Sequence, residues 1–156
     1  MSDIQSFMQE AINMASDNID INGGPFGAVI TFENKIIAKC GNTVTLTNDP
    51  TAHAEINAIR QASKYLQTFD LPSCILFTSC EPCPMCLSAI YWARIPKVYY
   101  AATKTDAHNI GFDDEIIYKE LDLPIEARKI SFIPIMRDDA MHVFTKWENT
   151  TFKKPY

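Results

Sequence analysis

Two short segments carry the residue types that bind metal and move protons: Thr51-Ala52-His53-Ala54-Glu55 and Glu81-Pro82-Cys83-Pro84-Met85-Cys86. Imidazole nitrogen and thiolate sulfur suit tetrahedral zinc. Cys83 and Cys86 are three residues apart, so on a helix both sulfurs face one way. A first-turn position adds unpaired N–H groups and the helix dipole, which stabilise anionic sulfur. His53, opening a second helix, supplies the third ligand. Three protein ligands leave a fourth position for water, the pattern of a catalytic zinc. One Zn2+ per subunit is therefore expected.

Glu55 lies two residues beyond His53, close enough to reach that water without ligating. Zinc lowers the pKa of bound water to about 7, so hydroxide forms near neutrality. A carboxylate beside it can take the proton and pass it to a leaving amine. Two thiolates cancel the formal charge of the metal, so hydroxide formation needs that help.

Simpler readings compete. A lone Cys-x-x-Cys is also a redox pair or half of a structural zinc site, but His-x-Glu at a separate helix start completes the catalytic pattern. An iron–sulfur run starting at Cys80 would need a later Cys-Pro, where Ile90 and Tyr91 stand. Cys40 and Cys74 fall in apolar strands and read as buried thiols. Cys80 reads as structural or as a neighbour of the ligands. His-x-Glu together with Pro-Cys-x-x-Cys is the signature of zinc-dependent nucleobase deaminases, in which water replaces a ring amino group.

The elements that must carry these residues follow from periodicity. Ile4, Phe7, Met8, Ala11, Ile12 and Ala15 recur at helical spacing, predicting a helix over 3–18. Gly23-Gly24-Pro25 stops it. Phe26–Phe32 and Lys35–Cys40 read as strands joined by a turn at Glu33-Asn34. A polar loop follows from Asn42 to Thr51.

His53–Leu66 is a second helix, with Ile56, Ile59, Ala62, Ser63 and Leu66 on its apolar face. Ser73–Ser79 is a strand. Cys83–Ala93 is a helix whose early prolines suit a first turn. Lys97–Ala101 is a strand, followed by a loop through Gly111. Asp113–Leu121 reads as helix, Ile130–Met136 as a fifth strand and Asp138–Glu148 as a last helix. A hairpin followed by alternating elements implies an α/β fold of three layers, α/β/α, around a central mixed five-stranded sheet. The chain reads as a single zinc-dependent deaminase domain over 1–156, with 150–156 as a tail.

Composition narrows the partners. The 156 residues carry a net charge of −5, against the basic surface that gripping long nucleic acid requires. A small uncharged substrate fits better. No apolar run reaches transmembrane length, and the first residues lack a basic region followed by an apolar one. Five cysteines, three within seven residues, point to reduced thiols and a cytoplasmic setting.

Further blocks carry a family resemblance. They are Gly23-Gly24-Pro25-Phe26-Gly27-Ala28-Val29-Ile30, Asn48-Asp49-Pro50 before the His-x-Glu, Ala89-Ile90-Tyr91-Trp92-Ala93-Arg94, and Gly111-Phe112-Asp113-Asp114. With the zinc segments, the chain resembles the bacterial guanine deaminases of the cytidine-deaminase-like superfamily. The zinc blocks are shared with tRNA adenosine deaminases and cytosine deaminases. The Gly-Phe-Asp-Asp segment and a tail ending in Tyr156 are what point to guanine.

That resemblance implies hydrolysis of guanine to xanthine and ammonia, with Glu55 as proton shuttle. It implies that Asn42 hydrogen-bonds the purine and that Asp114 engages its polar edge beside the attacked carbon. It also implies a homodimer whose C-terminal segment closes over the site, exchanged between subunits in some members. Guanine presents an N1–H donor beside the O6 acceptor, so the pocket needs both an acceptor and a donor. Asp114 and Asn42 meet that need, and Ala54 can add a backbone N–H. Phe26 and Trp92 are candidate ring contacts, and Tyr156 a lid. Asp113 is assigned to the cap of the following helix, and His108 and His142 to the surface or to a place behind the residues that line the site.

Three alternatives stand beside this reading: a tRNA adenosine deaminase, a deaminase of cytosine or ammeline-like bases, and a catalytically idle zinc-binding module for protein interaction. The last has no chemical need for Glu55.

Overall fold

The computed structural model describes residues 3–156. Two compact units divide the chain, one ending at Asp114 and the other running from Glu115 to Tyr156.

In the first unit, helix α1 spans Asp3–Asp20, and strands β1 and β2 span Gly24–Phe32 and Lys35–Asn42. Glu33 and Asn34 between the strands have φ of 49° and 58°. Two left-handed residues give the turn whose twist matches a tight hairpin. A short helix, α2, occupies Val44–Thr47, inside the stretch expected to be loop. Helix α3 spans Ala54–Leu66, β3 Cys74–Cys80, α4 Pro84–Trp92 and β4 Lys97–Ala102. Helix α5, Lys104–Asn109, also lies where a loop was expected. Thr103 and Asp106 close a reciprocal capping box there, a device that supports so short a helix.

The sheet has four strands in the order β2-β1-β3-β4. β1 is antiparallel to β2 and β3, and β3 is parallel to β4, so the sheet is mixed. Alternation along β1 and β3 divides the core between two faces. Val29 and Phe77 meet Ala11, Phe7 and Met8 of α1. Ala28, Ile30 and Leu76 meet Ala54, Ala58 and Ala62 of α3 and Ile90 of α4. The result is the expected α/β/α layering.

Small residues set the spacing of the layers. A Cβ on Gly27 would stand 2.3 Å from the Ala11 carbonyl oxygen, so glycine lets α1 rest directly on β1. On the other face, α3 turns the stripe Ala54, Ala58, Ala62 to the sheet, all fully buried. The expected face led by Ile56 is therefore displaced, with Ile59 and Leu66 at its margin. Alanines at this spacing bring the start of α3 close to β3.

The second unit contains helix α6 (Glu115–Leu121), a 3-10 turn at Ile125–Ala127 and helix α7 (Arg137–Glu148). The expected fifth strand at Ile130–Met136 does not form: among the described residues no strand pairs with that segment. Its β-prone composition predicted a strand, but a strand requires a ladder partner. Ile133 and Ile135 are each 81% exposed. Among the described residues no helix is long and apolar enough to cross a membrane.

Candidate active site

Two helix starts converge on one point. His53 is the N-cap of α3 and Cys83 the N-cap of α4, both with extended backbone and neither with a side-chain cap bond. Ser, Thr, Asp or Asn would ordinarily hold such positions and cap the helix. Here imidazole and thiol turn instead toward each other. Pro84 follows Cys83 at the first helical position, where its missing N–H costs nothing.

His53 Nδ1 lies 3.5 Å from Cys83 Sγ and 3.5 Å from Cys86 Sγ. The three ligand atoms all fall within 4.8 Å of one another. Tetrahedral zinc, with its ordinary bond lengths to nitrogen and sulfur, separates such ligands by about 3.5 Å. The contacts therefore fit the edges of a coordination tetrahedron.

The electrostatics agree. The Cys86 thiol donating to Cys83, and His53 after it, bring the Cys83 thiol down to about 4 against the opposing effect of burial. Cys86 is pushed up by that same shared proton, and next by its burial. Two sulfurs this close lose both protons only beside a cation, and a divalent ion meets that need. His53 is raised, first by its contact with Cys83. The positive ends of α3 and α4 both face the sulfurs.

Glu55 is 6% exposed and lies beside Cys86 and Cys83 without belonging to the ligand group. Burial is the main cause that raises its carboxyl above the usual range. Thr78 Oγ1, from β3, donates to Glu55 Oε1 at 3.4 Å. Ala54, fully buried, is the first residue of α3. Its N–H belongs to the first turn, which has no acceptor within the helix.

Asn42 ends β2 and is 7% exposed. Its Oδ1 accepts from the Val44 N–H at 3.1 Å, which leaves the Nδ2 end as the donor. Asn57 on α3 ties this end of β2 to the start of its own helix. Its Nδ2 reaches the carbonyl oxygens of Gly41 at 3.0 Å and Ala52 at 3.3 Å, and Thr43 Oγ1 at 3.0 Å.

Phe26 packs edge-on against Phe112, with ring centroids 4.8 Å apart. Two residues later stands Asp114, whose carboxyl is raised first by burial and next by the charge of Cys83. Asp114 in turn contributes to the raised His53. Asp113 points elsewhere, with its Oδ1 3.5 Å from Nδ1 of His108. Asp114, not Asp113, immediately precedes α6.

Trp92 stands at the opposite end of α4 from the ligands. It is 66% exposed and borders an open groove with Tyr91 and Arg94. Tyr156 belongs to the second unit and is 73% exposed. Cys80 is buried, with its thiol pushed up to about 11, chiefly by desolvation. Cys74 is buried as expected, whereas Cys40 is half-buried and donates to Gln61 Oε1 at 2.8 Å.

Sequence reasoning missed Thr78, Asn57 and Phe112. Thr78 is a polar residue at a buried, helix-facing position of an apolar strand. Asn57 lies one helical turn from His53, so both signals were present in the residue pattern.

Residues 1–102 match the cytidine and deoxycytidylate deaminase zinc-binding region. The chain belongs to the cytidine and deoxycytidylate deaminase family. It is 51% identical to the guanine deaminase of Bacillus subtilis over 153 residues, 97% of this chain and 98% of that protein. The solved structure of that enzyme superposes with a TM-score of 0.95, over 97% of this chain and 98% of that chain. The solved guanine deaminase of Nitrosomonas europaea is 36% identical, with a TM-score of 0.66 over 69% of this chain and 63% of that one. A tRNA-specific adenosine deaminase of Buchnera aphidicola is 43% identical over 96 residues, 62% of this chain and 59% of that protein. As a deaminase of this zinc-binding family, the chain is a hydrolase, and its donor set suits the ion the family uses.

Proposed function

We propose that the chain hydrolyses guanine to xanthine and ammonia, with His53, Cys83 and Cys86 holding one zinc and Glu55 carrying the proton. One observation carries the choice of substrate. The likeness to a guanine deaminase runs through 97% of the chain, at 51% identity, whereas the likeness to two Buchnera tRNA deaminases covers 62% and 79%, at 43% and 32% identity. The net charge of −5 also favours a free base over an anticodon loop.

Zinc in this site supplies a Lewis acid that acidifies water near neutral pH. Glu55, buried beside the ligand sulfurs, accepts a proton from the attacking water and delivers it to the departing amino nitrogen. Oxygen adds across the C2–N3 double bond; the exocyclic C2–N bond then breaks, ammonia leaves with the proton from Glu55, and the remaining hydroxyl proton ends on N3 as C2 becomes a carbonyl. Asp114 accepts from the N1–H and amino edge of the base. Asn42 donates through Nδ2 to a ring or carbonyl acceptor. Phe26, held edge-on by Phe112, offers a face to the purine. The Ala54 N–H serves the substrate or the charge that develops on it. Unpaired polar groups would penalise a base that lacks the matching edge.

An ammonia-release panel tests this reading. Guanine, guanosine, adenine, cytosine, ammeline and a tRNA stem-loop are compared, with zinc measured in the same sample. Guanine is expected to stand well above the others. Faster inosine formation in the stem-loop would assign the chain to tRNA, and bound zinc without ammonia from any base would assign it to a binding role.

The working form is proposed to be a cytoplasmic homodimer whose segment 150–156, ending in Tyr156, closes a site and is exchanged between subunits. Exposed apolar side chains support an assembly. In the second unit Phe144 is 65% and Phe152 89% exposed, and Trp92 on α4 is 66% exposed. Five free cysteines suit a reducing compartment. Light scattering and truncation after Asn149 test the assembly and the lid, and cell fractionation tests the location.

A further inference from the structure

Helical spacing puts residue 18 on the face of α1 that carries Ala11 and Ala15. All three are buried, and Asn18, at 1% exposure, is the polar one. A buried amide is costly unless its donors are used. Asn18 uses both. Its Nδ2 donates to the carbonyl oxygens of Gly24 and Asn42, each at 2.7 Å.

The surroundings are fitted to this amide. A Cβ on Gly23 would lie 2.3 Å from Asn18 Nδ2, and one on Gly41 would lie 2.3 Å from Asn18 Oδ1. Any side chain at either position evicts the amide. Asn18, Gly23 and Gly41 thus form one packed unit across α1, β1 and β2.

Its location gives the unit a role. β1 pairs Gly24 with Asn42 and then Gly27 with Gly41, so Pro25 and Phe26 bulge out of the ladder. Bulges re-aim side chains beside functional sites. Asn18 clamps both strands at the outer end of this bulge. One anchored residue is Asn42 itself, and the bulge carries Phe26 to its contact with Phe112.

We infer that Asn18 is a positioning residue for the base pocket, holding Asn42 and the Phe26 bulge at a set separation. The inference rests on the reading that Asn42 and Phe26 meet the purine. Asn18 sits on the helix side of the strand backbones and acts through them.

The experiment compares Asn18→Ser, Gly41→Ala and Asn42→Ala, with the double variant Asn18→Ser/Asn42→Ala, in the zinc-loaded protein. Zinc content, Tm, kcat and KM for guanine are measured. With the clamp loosened, KM rises about tenfold, the scale of one lost hydrogen bond, while zinc stays at parity and kcat changes little. The double variant is expected to show no greater KM than Asn42→Ala alone, because the two act in series. A lower Tm with unchanged KM in Asn18→Ser and Gly41→Ala overturns the clamp and leaves Asn42 in place. An unchanged KM in Asn42→Ala overturns the reading of Asn42 and the clamp with it. If Asn18→Ser does not fold, Gly41→Ala decides, since it presses on the amide from the opposite side.

Discussion

Thr78 Oγ1 stands 3.4 Å from Glu55 Oε1, linking the central strand β3 to the proposed proton carrier at the start of α3. Both side chains are buried, at 1% and 6% exposure. A hydroxyl at this position orients one carboxylate oxygen and leaves the other to reach water. Thr78→Val is expected to lower kcat about tenfold with zinc retained, and Thr78→Ser to restore it. Glu55→Gln should lower kcat by about 10²–10⁴ and also keep zinc, since Glu55 is not a ligand. Metal analysis beside steady-state kinetics checks both. Zinc lost together with activity in Glu55→Gln would place Glu55 among the ligands.

Removing a ligand should separate metal binding from folding. Cys86→Ala and His53→Ala are expected to fall below one zinc per chain and to lose activity. Chelation of the wild-type protein should lower Tm, because zinc binds the folded site far better than the unfolded chain. Added zinc should restore both. A chelated protein with unchanged Tm and full activity would contradict the metal centre.

The two neighbouring aspartates should behave differently. Asp114 feels the charge of Cys83, whereas Asp113, 51% exposed in its side chain, pairs with His108. Asp114→Asn is expected to lower kcat/KM about a hundredfold. Asp113→Asn should cost at most about 1 kcal/mol of stability, the scale of an exposed polar contact, and leave kcat/KM intact. Equal catalytic loss from both would remove the distinction.

Asp114 also sets a pH dependence. Its carboxyl is raised, first by burial and next by the charge of Cys83. The folded protein therefore holds this proton more tightly than the unfolded chain. That contribution favours folding at low pH and is lost as pH rises through the raised value. In the proposed reaction activity runs the other way, because the carboxylate form is the one that accepts from the base. The acid limb of kcat/KM should lie above the ordinary aspartate value of about 3.9. A pH–rate profile of wild type and Asp114→Asn checks this, with the limb in the variant expected to shift to the one that Glu55, itself raised by burial, sets alone.

Asn57 joins the Gly41 and Ala52 carbonyls, which lie on either side of the turn carrying α2. Asn57→Ala leaves those acceptors without their shared donor, and about 1–3 kcal/mol of stability should go with it. Urea unfolding measures the loss. An unchanged midpoint would mean that water replaces the amide at no cost.

Much of this was legible because it is local. His53, Cys83 and Cys86 announce themselves by type and by spacing along two helix starts. The hairpin turn at Glu33-Asn34, the prolines opening α4 and the layered order all follow from short-range rules. The segment Ile130–Met136 was not legible, because its residues favour extended backbone but cannot state whether a partner strand exists. The surroundings of Trp92 were not legible either, since the residue pattern sets it at the end of α4 away from the ligands but does not give its 66% exposure.

By itself, then, the amino-acid order determined the candidate donor set, the carboxylate proposed to carry the proton and the elements that hold them, since coordination chemistry and helix geometry depend on neighbours a few residues apart. Only the tertiary structure decided that Ala54, Ala58 and Ala62 bring α3 against the sheet, that Thr78 meets Glu55, and that Asn18 wedges between Gly23 and Gly41. Those contacts join residues separated by a turn, a strand or a whole layer. Their energies come from close packing and from satisfying buried polar groups, which exist only once the layers have closed.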